Sequence, residues 1–259
     1  MSGGSPRDRF VTVYGRMPVL EALLDETLVV DKVVVARPAH GPSVDELLAA
    51  ARRRGVPVER AEAARVTRLS RNGRHDQGVV ADVVAPGLAD LDDWLASSSG
   101  GRLQPIDVVV LDGVTNPANV GMLLRVATGA GMAVVLPRQG SPDLGPLVVK
   151  ASAGVAFRAR VLRAATAVDG CRSLVAAGWS PVVLDATAPT TIWEPLPSPT
   201  ALVIGGETGG IGPAVAALAL ERRAIPLLAG VDSLNVATAA AVAAFELARQ
   251  RRAAPEPLA

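Results

Sequence analysis

The sequence predicts an α/β protein in two units, the second built on a largely parallel sheet, and three observations lead there. Short apolar runs alternate with helical segments along nearly all of the 259 residues. Hydrophobic residues make up 49% of the chain but aromatics only 3%. The core must therefore be assembled from Ala, Val and Leu, which suits a buried parallel sheet covered by helices. A Ser/Gly run, Ser97 to Gly101, then interrupts the alternation and divides the chain.

Taken in order, residues 1–10 carry no pattern and read as disordered. Residues 18–24 form a helix with Pro18 near its first turn. A strand follows at 32–36, a helix at 43–54 capped by Ser43, a strand at 56–59, a helix at 61–70 and a strand at 79–84. This βαβ-like alternation makes 11–86 a small α/β domain. Residues 87–105 read as linker, although 90–95 can form a helix. The second unit, 106–259, opens with an apolar strand at 106–111, a helix at 120–130 and a strand at 133–136. A short helix at 150–153, a short strand at 158–160, a helix at 167–177 and a strand at 181–185 come next. It ends with a strand at 201–204, a short helix at 213–220, a strand at 223–227 and a helix at 238–252. Such alternation implies right-handed crossovers, with ligands beyond the carboxyl ends of the strands.

Net charge is +1 and names no partner, but its distribution says more. Arg52, Arg53, Arg54, Arg60, Arg65, Arg68, Arg71 and Arg74 crowd one stretch against Glu59 and Glu62. That is the footprint expected for a phosphate-bearing partner, with a solvated arginine face as the alternative. Cys171 is alone, and His40 and His75 are too scattered for a metal cluster, so no metal is expected. No apolar run reaches the roughly 18 residues of a membrane span. The start, MSGGSPRDRF, lacks the apolar core of a signal peptide, so a soluble, cytoplasmic protein is the expectation.

Three loops fall at the carboxyl ends of the strands. In the first, Asn116, Pro117 and Asn119 form a polar turn, and Gly121 permits close approach in the first helical turn. Arg125 lies about 9 Å further along that helix, within reach of Asn119 if it leans toward the N-terminal end. Alternatively Asn119 caps the helix and Arg125 pairs with a surface acid. The second loop, VIGGETGGIGP, has glycines that let backbone approach a ligand, with Glu207 in its midst. It matches neither a Walker A loop nor a dinucleotide fingerprint. The third runs from a strand-like Ile225, Pro226, Leu227 and Leu228 through Gly230 to Ser233, Leu234 and Asn235, where an Ala-rich helix begins. Free N–H groups at such a helix start bind ligands, unless Asp232 or Ser233 merely caps it.

The ordered set N-P-x-N-x-G-x-x-x-R (Asn116 to Arg125), G-x-E-x-x-G (Gly205 to Gly210) and I-P-x-x-G-x-x-S-L-N-V (Ile225 to Val236) resembles the SpoU, or TrmH, family of the SPOUT superfamily. These are RNA ribose 2′-O-methyltransferases. The first unit is similar to that family's ribosomal-protein-L30e-like RNA-binding domain. The shared residues are Tyr14-Gly15-Arg16, Val19 to Leu23, and His75 to Val79. The resemblance implies a deep trefoil knot made by the C-terminal segment, a fold that connection rules alone would reject. It implies S-adenosylmethionine held mainly by backbone, at Gly205, Gly206, Ile225, Leu227 and Leu234. It places Asn119, Arg125, Glu207, Ser233 and Asn235 on the acceptor side, requires no metal, and pairs two knotted domains through the final helix. Arg16 and the arginine cluster, apart from Arg60, would then face structured RNA. Thr208, Gly209 and Ala237 depart from common family residues, and none of them is a proposed catalytic group.

The implied reaction is in-line displacement by a ribose 2′-hydroxyl at a sulfonium methyl, so the protein must align the hydroxyl and help its proton leave. Arg125 as a base would require lowering its pKa from about 13.8 to near 8, roughly 8 kcal/mol. A charged donor that orients the target phosphate and stabilises the developing alkoxide is the better reading. Asn119 would position the ribose or Arg125, and Glu207 would fix Arg125 or its loop. Ser233 and Asn235 would tie the last loop to the site. The first-unit domain favours 23S ribosomal RNA as substrate. Transfer RNA, an antibiotic-resistance methylase and a non-catalytic RNA- or nucleotide-binding module are the competing expectations.

Overall fold

The structure, a computed structural model, describes residues 9–98, 106–207 and 209–253. The first unit comprises β1 (Phe10–Tyr14), α1 (Arg16–Leu24), β2 (Val30–Ala36), α2 (Pro42–Arg53), β3 (Val58–Ala61), α3 (Ala63–Ser70) and β4 (Val79–Val84). Its sheet has the order β1-β4-β2-β3. Only the β2–β3 pair, joined by the α2 crossover, is parallel. Phe10 pairs with Val84 and so belongs to a strand, against the expectation that 1–10 lacks structure; residues 1–8 lie outside the described residues. Ser43 is not the cap of α2. Gly41 holds that position, and the Ser43 hydroxyl accepts a hydrogen bond from Arg16 instead.

The second unit contains β5 (Leu88–Asp90), α4 (Leu91–Ser98), β6 (Val108–Asp112), α5 (Pro117–Gly129), β7 (Ala133–Pro137) and α6 (Pro146–Ala151). After a 3-10 turn at Val155–Phe157 come β8 (Val161–Ala164), α7 (Ala167–Ala176), β9 (Ser180–Leu184), β10 (Thr200–Gly205), α8 (Pro213–Ala216), β11 (Glu221–Arg223) and α9 (Val236–Ala253). Seven strands in the order β11-β9-β10-β6-β7-β8-β5 form one sheet, with every pair parallel.

Residues 87–98 are not a linker. β5 pairs with β8 at the sheet edge, and α4 buries Leu91 and Leu95 while Trp94 meets Trp179 at a ring-centroid distance of 5.8 Å. Gly87 permits the join, because a β-carbon there would sit 2.4 Å from the Ala159 carbonyl oxygen. Residues 99–105, which include most of the Ser/Gly run, lie outside the described residues. Two further expectations shift. The strand placed at 158–160 is β8, three residues later, because the 3-10 turn consumes the preceding chain. The strand placed at 223–227 ends at Arg223, and Ala224 makes only a bridge to Thr191. Pro226 has no N–H to extend the ladder.

Alternation along the central strands explains why β6, β7 and β10 are apolar throughout. Val109, Leu111, Val134, Leu136, Leu202 and Ile204 face α5 and α9. Their neighbours Val108, Val110, Val135 and Val203 face α4 and α7. Helix α9 is pinned at its far end, where Arg251 donates to Asp107 at 2.9 and 3.1 Å and also to the Pro197 carbonyl oxygen. Its other end is thereby set above the carboxyl edge of the sheet.

Candidate active site

The last residue of β6, Asp112, begins the site. Its carbonyl oxygen accepts from Gly206 N at 2.8 Å, and its carboxylate accepts from Gly212 N at 2.6 Å, so the glycine loop after β10 is laced to β6. Gly205 and Gly206 are required by this lacing. Added β-carbons would lie 2.4 Å from Gly210 and 2.1 Å from the Gly113 carbonyl oxygen. Gly121 acts similarly, since a β-carbon there would lie 2.5 Å from the Val148 carbonyl oxygen of α6. Protein backbone comes close at each of these three glycines.

Helix α5 starts where Asn116 accepts from Ala118 N, with Pro117 as its first residue. Asn119 is turned inward and only 4% exposed. Its Nδ2 donates to Glu207 Oε1 at 2.8 Å, and the same oxygen accepts from Asn235 Nδ2 at 3.1 Å. Asn235 Nδ2 also lies 3.4 Å from Asn119 Oδ1, closing a triangle. The Asn235 oxygen accepts from Ala237 N and Thr238 N, so Asn235, rather than Asp232 or Ser233, caps α9. The three loops therefore meet through three side chains. Because β11 lies two strands away from β10, residues 224–235 must cross back past β9 for this to happen.

Arg125 and Ser233 are not tied into the triangle. Six residues turn an α-helix through about 600°, so Arg125 projects about 120° away from Asn119. It is exposed and makes no ion pair or hydrogen bond among the described residues. It shares a face with exposed Met122 and with Gly129, beside which the exposed Phe245 of α9 packs. Ser233 is exposed with no side-chain hydrogen bond among the described residues. The segment carrying Ile225, Leu227 and Leu234 is irregular. These three are half-buried and make no backbone hydrogen bond among the described residues, leaving their N–H and C=O groups able to engage a ligand. Free main-chain groups of this kind are what a methyl donor held by backbone would require.

The arginines divide into two sets. Arg54 donates to the carbonyl oxygens of Ala22, Leu23, Asp25 and Leu28, satisfying the C-terminal end of α1. Arg60 binds the Ala36 and Ala39 carbonyls, Arg65 pairs with Glu59 at 2.6 Å, and Arg71 pairs with Asp143 at 2.6 Å. Arg16 donates to Ser43 and to the Gln77 carbonyl. Arg52, Arg53, Arg68 and Arg74 are exposed and without a side-chain partner among the described residues. The cluster in sequence is therefore partly internal scaffolding. Asp112 and Asp143 were not singled out in the sequence; the position of Asp112 at a strand end beside a polar turn was the available signal. No group of three or more His, Cys, Asp or Glu residues able to hold a metal exists among the described residues, and no described helix is long and apolar enough to cross a membrane.

Comparison with known proteins finds relatives of both units. Residues 107–245 match the SpoU rRNA Methylase family, and residues 12–88 match the RNA 2′-O ribose methyltransferase substrate-binding domain. A protein of Mycolicibacterium smegmatis described as an uncharacterized tRNA/rRNA methyltransferase is 33% identical over 251 residues, covering 96% of this chain and 79% of the relative. The AdoMet-bound rRNA methyltransferase of Sinorhizobium meliloti superposes with a TM-score of 0.63 at 25% identity, covering 95% of this chain and 89% of that one. The SpoU methyltransferase AviRb of Streptomyces viridochromogenes, with AdoMet, also gives 0.63, at 24% identity and 96% and 93% coverage.

Proposed function

This chain belongs to the SpoU rRNA Methylase family, and from that premise we propose that it methylates a ribose 2′-hydroxyl of 23S ribosomal RNA with S-adenosylmethionine as donor. The observation that carries the reading is the Asn119–Glu207–Asn235 triangle, which joins the three loops beside the open backbone of Ile225, Leu227 and Leu234. When bound, the donor supplies a methyl group activated by a sulfonium centre. Gly205, Gly206, Ile225, Leu227 and Leu234 would hold it through main-chain groups. Glu207, engaged by two amides, fixes the loop geometry. Asn119 and Ser233 orient the ribose, and Asn235 keeps the start of α9 in place. Arg125 acts as a charged donor to the phosphate and the developing alkoxide, not as the base.

Three finer statements belong to the same reading. The C-terminal segment threads a loop as a trefoil knot. Two copies pair through the α9 face carrying Phe245 and the α5 face carrying Met122 and Arg125, which brings each Arg125 to the dimer boundary. Arg16, Arg52, Arg53, Arg68 and Arg74, with Arg54, Arg65 and Arg71 fixing the surface around them, face the RNA in the cytoplasm. The structural neighbour described as an rRNA methyltransferase, matched along nearly the full chain, supports the ribosomal reading, while the sequence relatives are named for tRNA and rRNA alike. Ribose-methylation mapping of total RNA from cells with and without the gene tests this. Loss of one site in 23S RNA is the expected result, and loss confined to a transfer RNA would overturn the ribosomal assignment.

A further inference from the structure

A cleft of about 750 Å³ lies between the two units, away from the donor segment. Lys32, Arg68 and Arg71 come from the first unit, and Arg138 and Arg163 from the second, against only Asp82 and Asp143 among its lining carboxylates. Asp143 bridges the units, with one oxygen 2.6 Å from Arg71 and the other 3.0 Å from Arg163, while Lys32 lies 3.4 Å from Asp82 and Arg138 lies 3.9 Å from Asp90. Arg68 projects into the cleft region exposed and with no side-chain partner among the described residues. One wall holds Tyr14, whose hydroxyl accepts from Asn72 at 3.0 Å and leaves an aromatic ring along the cleft. Pro117, two residues before Asn119 on the same helical turn, forms part of the opposite wall.

We propose that this cleft is a second RNA subsite that takes the unpaired strand adjoining the target nucleotide. This inference rests on the RNA-methylation reading and extends it to how the strand is held. The volume matches pockets that enclose one small ligand, about 300–1,000 Å³, so it admits unstacked nucleotides and excludes a duplex. Arg68 on one wall and Arg138 on the other are exposed and offer charge to a phosphate backbone, whereas Arg163 is buried against Asp143, and an aromatic wall accepts a base without regard to sequence. The shared wall at Pro117 leads a strand from the cleft directly to Asn119. Asp143, already held between two arginines, sets the gap between the units into which the strand fits.

The test is fluorescence anisotropy with a short fluorescein-labelled oligouridylate, run at several salt concentrations. The wild type is compared with Arg68→Ala/Arg138→Ala and with Arg172→Ala/Arg222→Ala, exposed arginines of α7 and β11 that lie outside both the cleft and the RNA-facing surface. The cleft pair should weaken binding about tenfold or more and lower the salt slope by about 0.7 for each phosphate that is no longer neutralised. The outer pair should change binding less than about threefold, within the effect of removing rim charge alone. Photocrosslinking with a 4-thiouridine-containing oligonucleotide should label the peptide that carries Tyr14. Equal weakening by both pairs, no binding by the wild type at low salt, or crosslinks only outside the cleft would overturn the proposal. S-adenosylmethionine titration of the same wild-type preparation separates the two levels. Donor binding without a cleft effect removes only this subsite, whereas absent donor binding removes the methylation reading beneath it.

Discussion

Asn235 caps α9 with its oxygen and donates its nitrogen to Glu207 and Asn119, so one side chain serves both the helix and the site. Asn235→Ala should cost about 1 kcal/mol from the lost cap and far more in activity. Asn235→Asp keeps an acceptor for the cap but sets a second carboxylate against Glu207. It should recover more of the lost thermal stability than of the single-turnover rate; equal recovery of both would contradict the two roles. Arg125→Lys should lose most activity while donor affinity survives, because a bidentate planar donor is replaced by a point charge. Near-wild-type single turnover would remove Arg125 from the mechanism. The polar identities of Asn119, Glu207 and Asn235 were legible in the sequence as three motifs at strand ends. Their mutual bonding was not, because the helix that buries Asn119 carries Arg125 about 120° round from it, and residue spacing alone does not show which partner Glu207 takes.

Among the elements, α5 and α9 were legible from apolar runs, although Asn116 and Asn235 rather than Asn119 and Asp232 or Ser233 cap them, and β6, β7 and β10 were legible from their unbroken Val and Leu content. The three-residue β5 was not, since so short an edge strand carries no period and Pro86-Gly87 reads as a break. Gly121 looked like room for a ligand and proved to be room for α6. Gly121→Ala should therefore destabilise the fold by about 1–3 kcal/mol through overpacking, read as a lower denaturant midpoint. An unchanged midpoint would show that α6 can yield. The far end of α9 has its own pH dependence. Hydrogen bonding from Arg249, with Gln250 assisting, pulls the Glu246 carboxyl from 4.5 down to about 2. A folded-state pKa below the unfolded one stabilises the protein fully above about pH 4.5, and that share is lost as pH falls toward 2. Glu246→Gln should flatten this part of an acid titration of stability, and an unaltered acid limb would exclude the contribution.

Across the whole molecule, the division into a small α/β unit and a larger parallel-sheet unit was legible from composition and alternation. The path of 224–235 back across β9 and the cleft between the units depend on long-range placement that no local pattern encodes. Cys171 offers a probe of the assembled core. Burial pushes its thiol up to about 12, with Asp112 adding to the shift, so it should resist alkylation in the native state at neutral pH. Labelling should rise only with denaturant, in step with the loss of the fold, and rapid native labelling would mean that the α7 side of the sheet opens locally. The central claim is that three loops assemble a site for ribose methylation. It is tested most directly by incubating the protein with methyl-labelled S-adenosylmethionine and ribosomal RNA from cells lacking the gene, then hydrolysing the RNA in alkali. A methylated 2′-oxygen cannot attack its neighbouring phosphate, so the account predicts label in an alkali-resistant dinucleotide, lost with Asn235→Ala. Label released in mononucleotides, as base methylation would give, or no label at all, would contradict it.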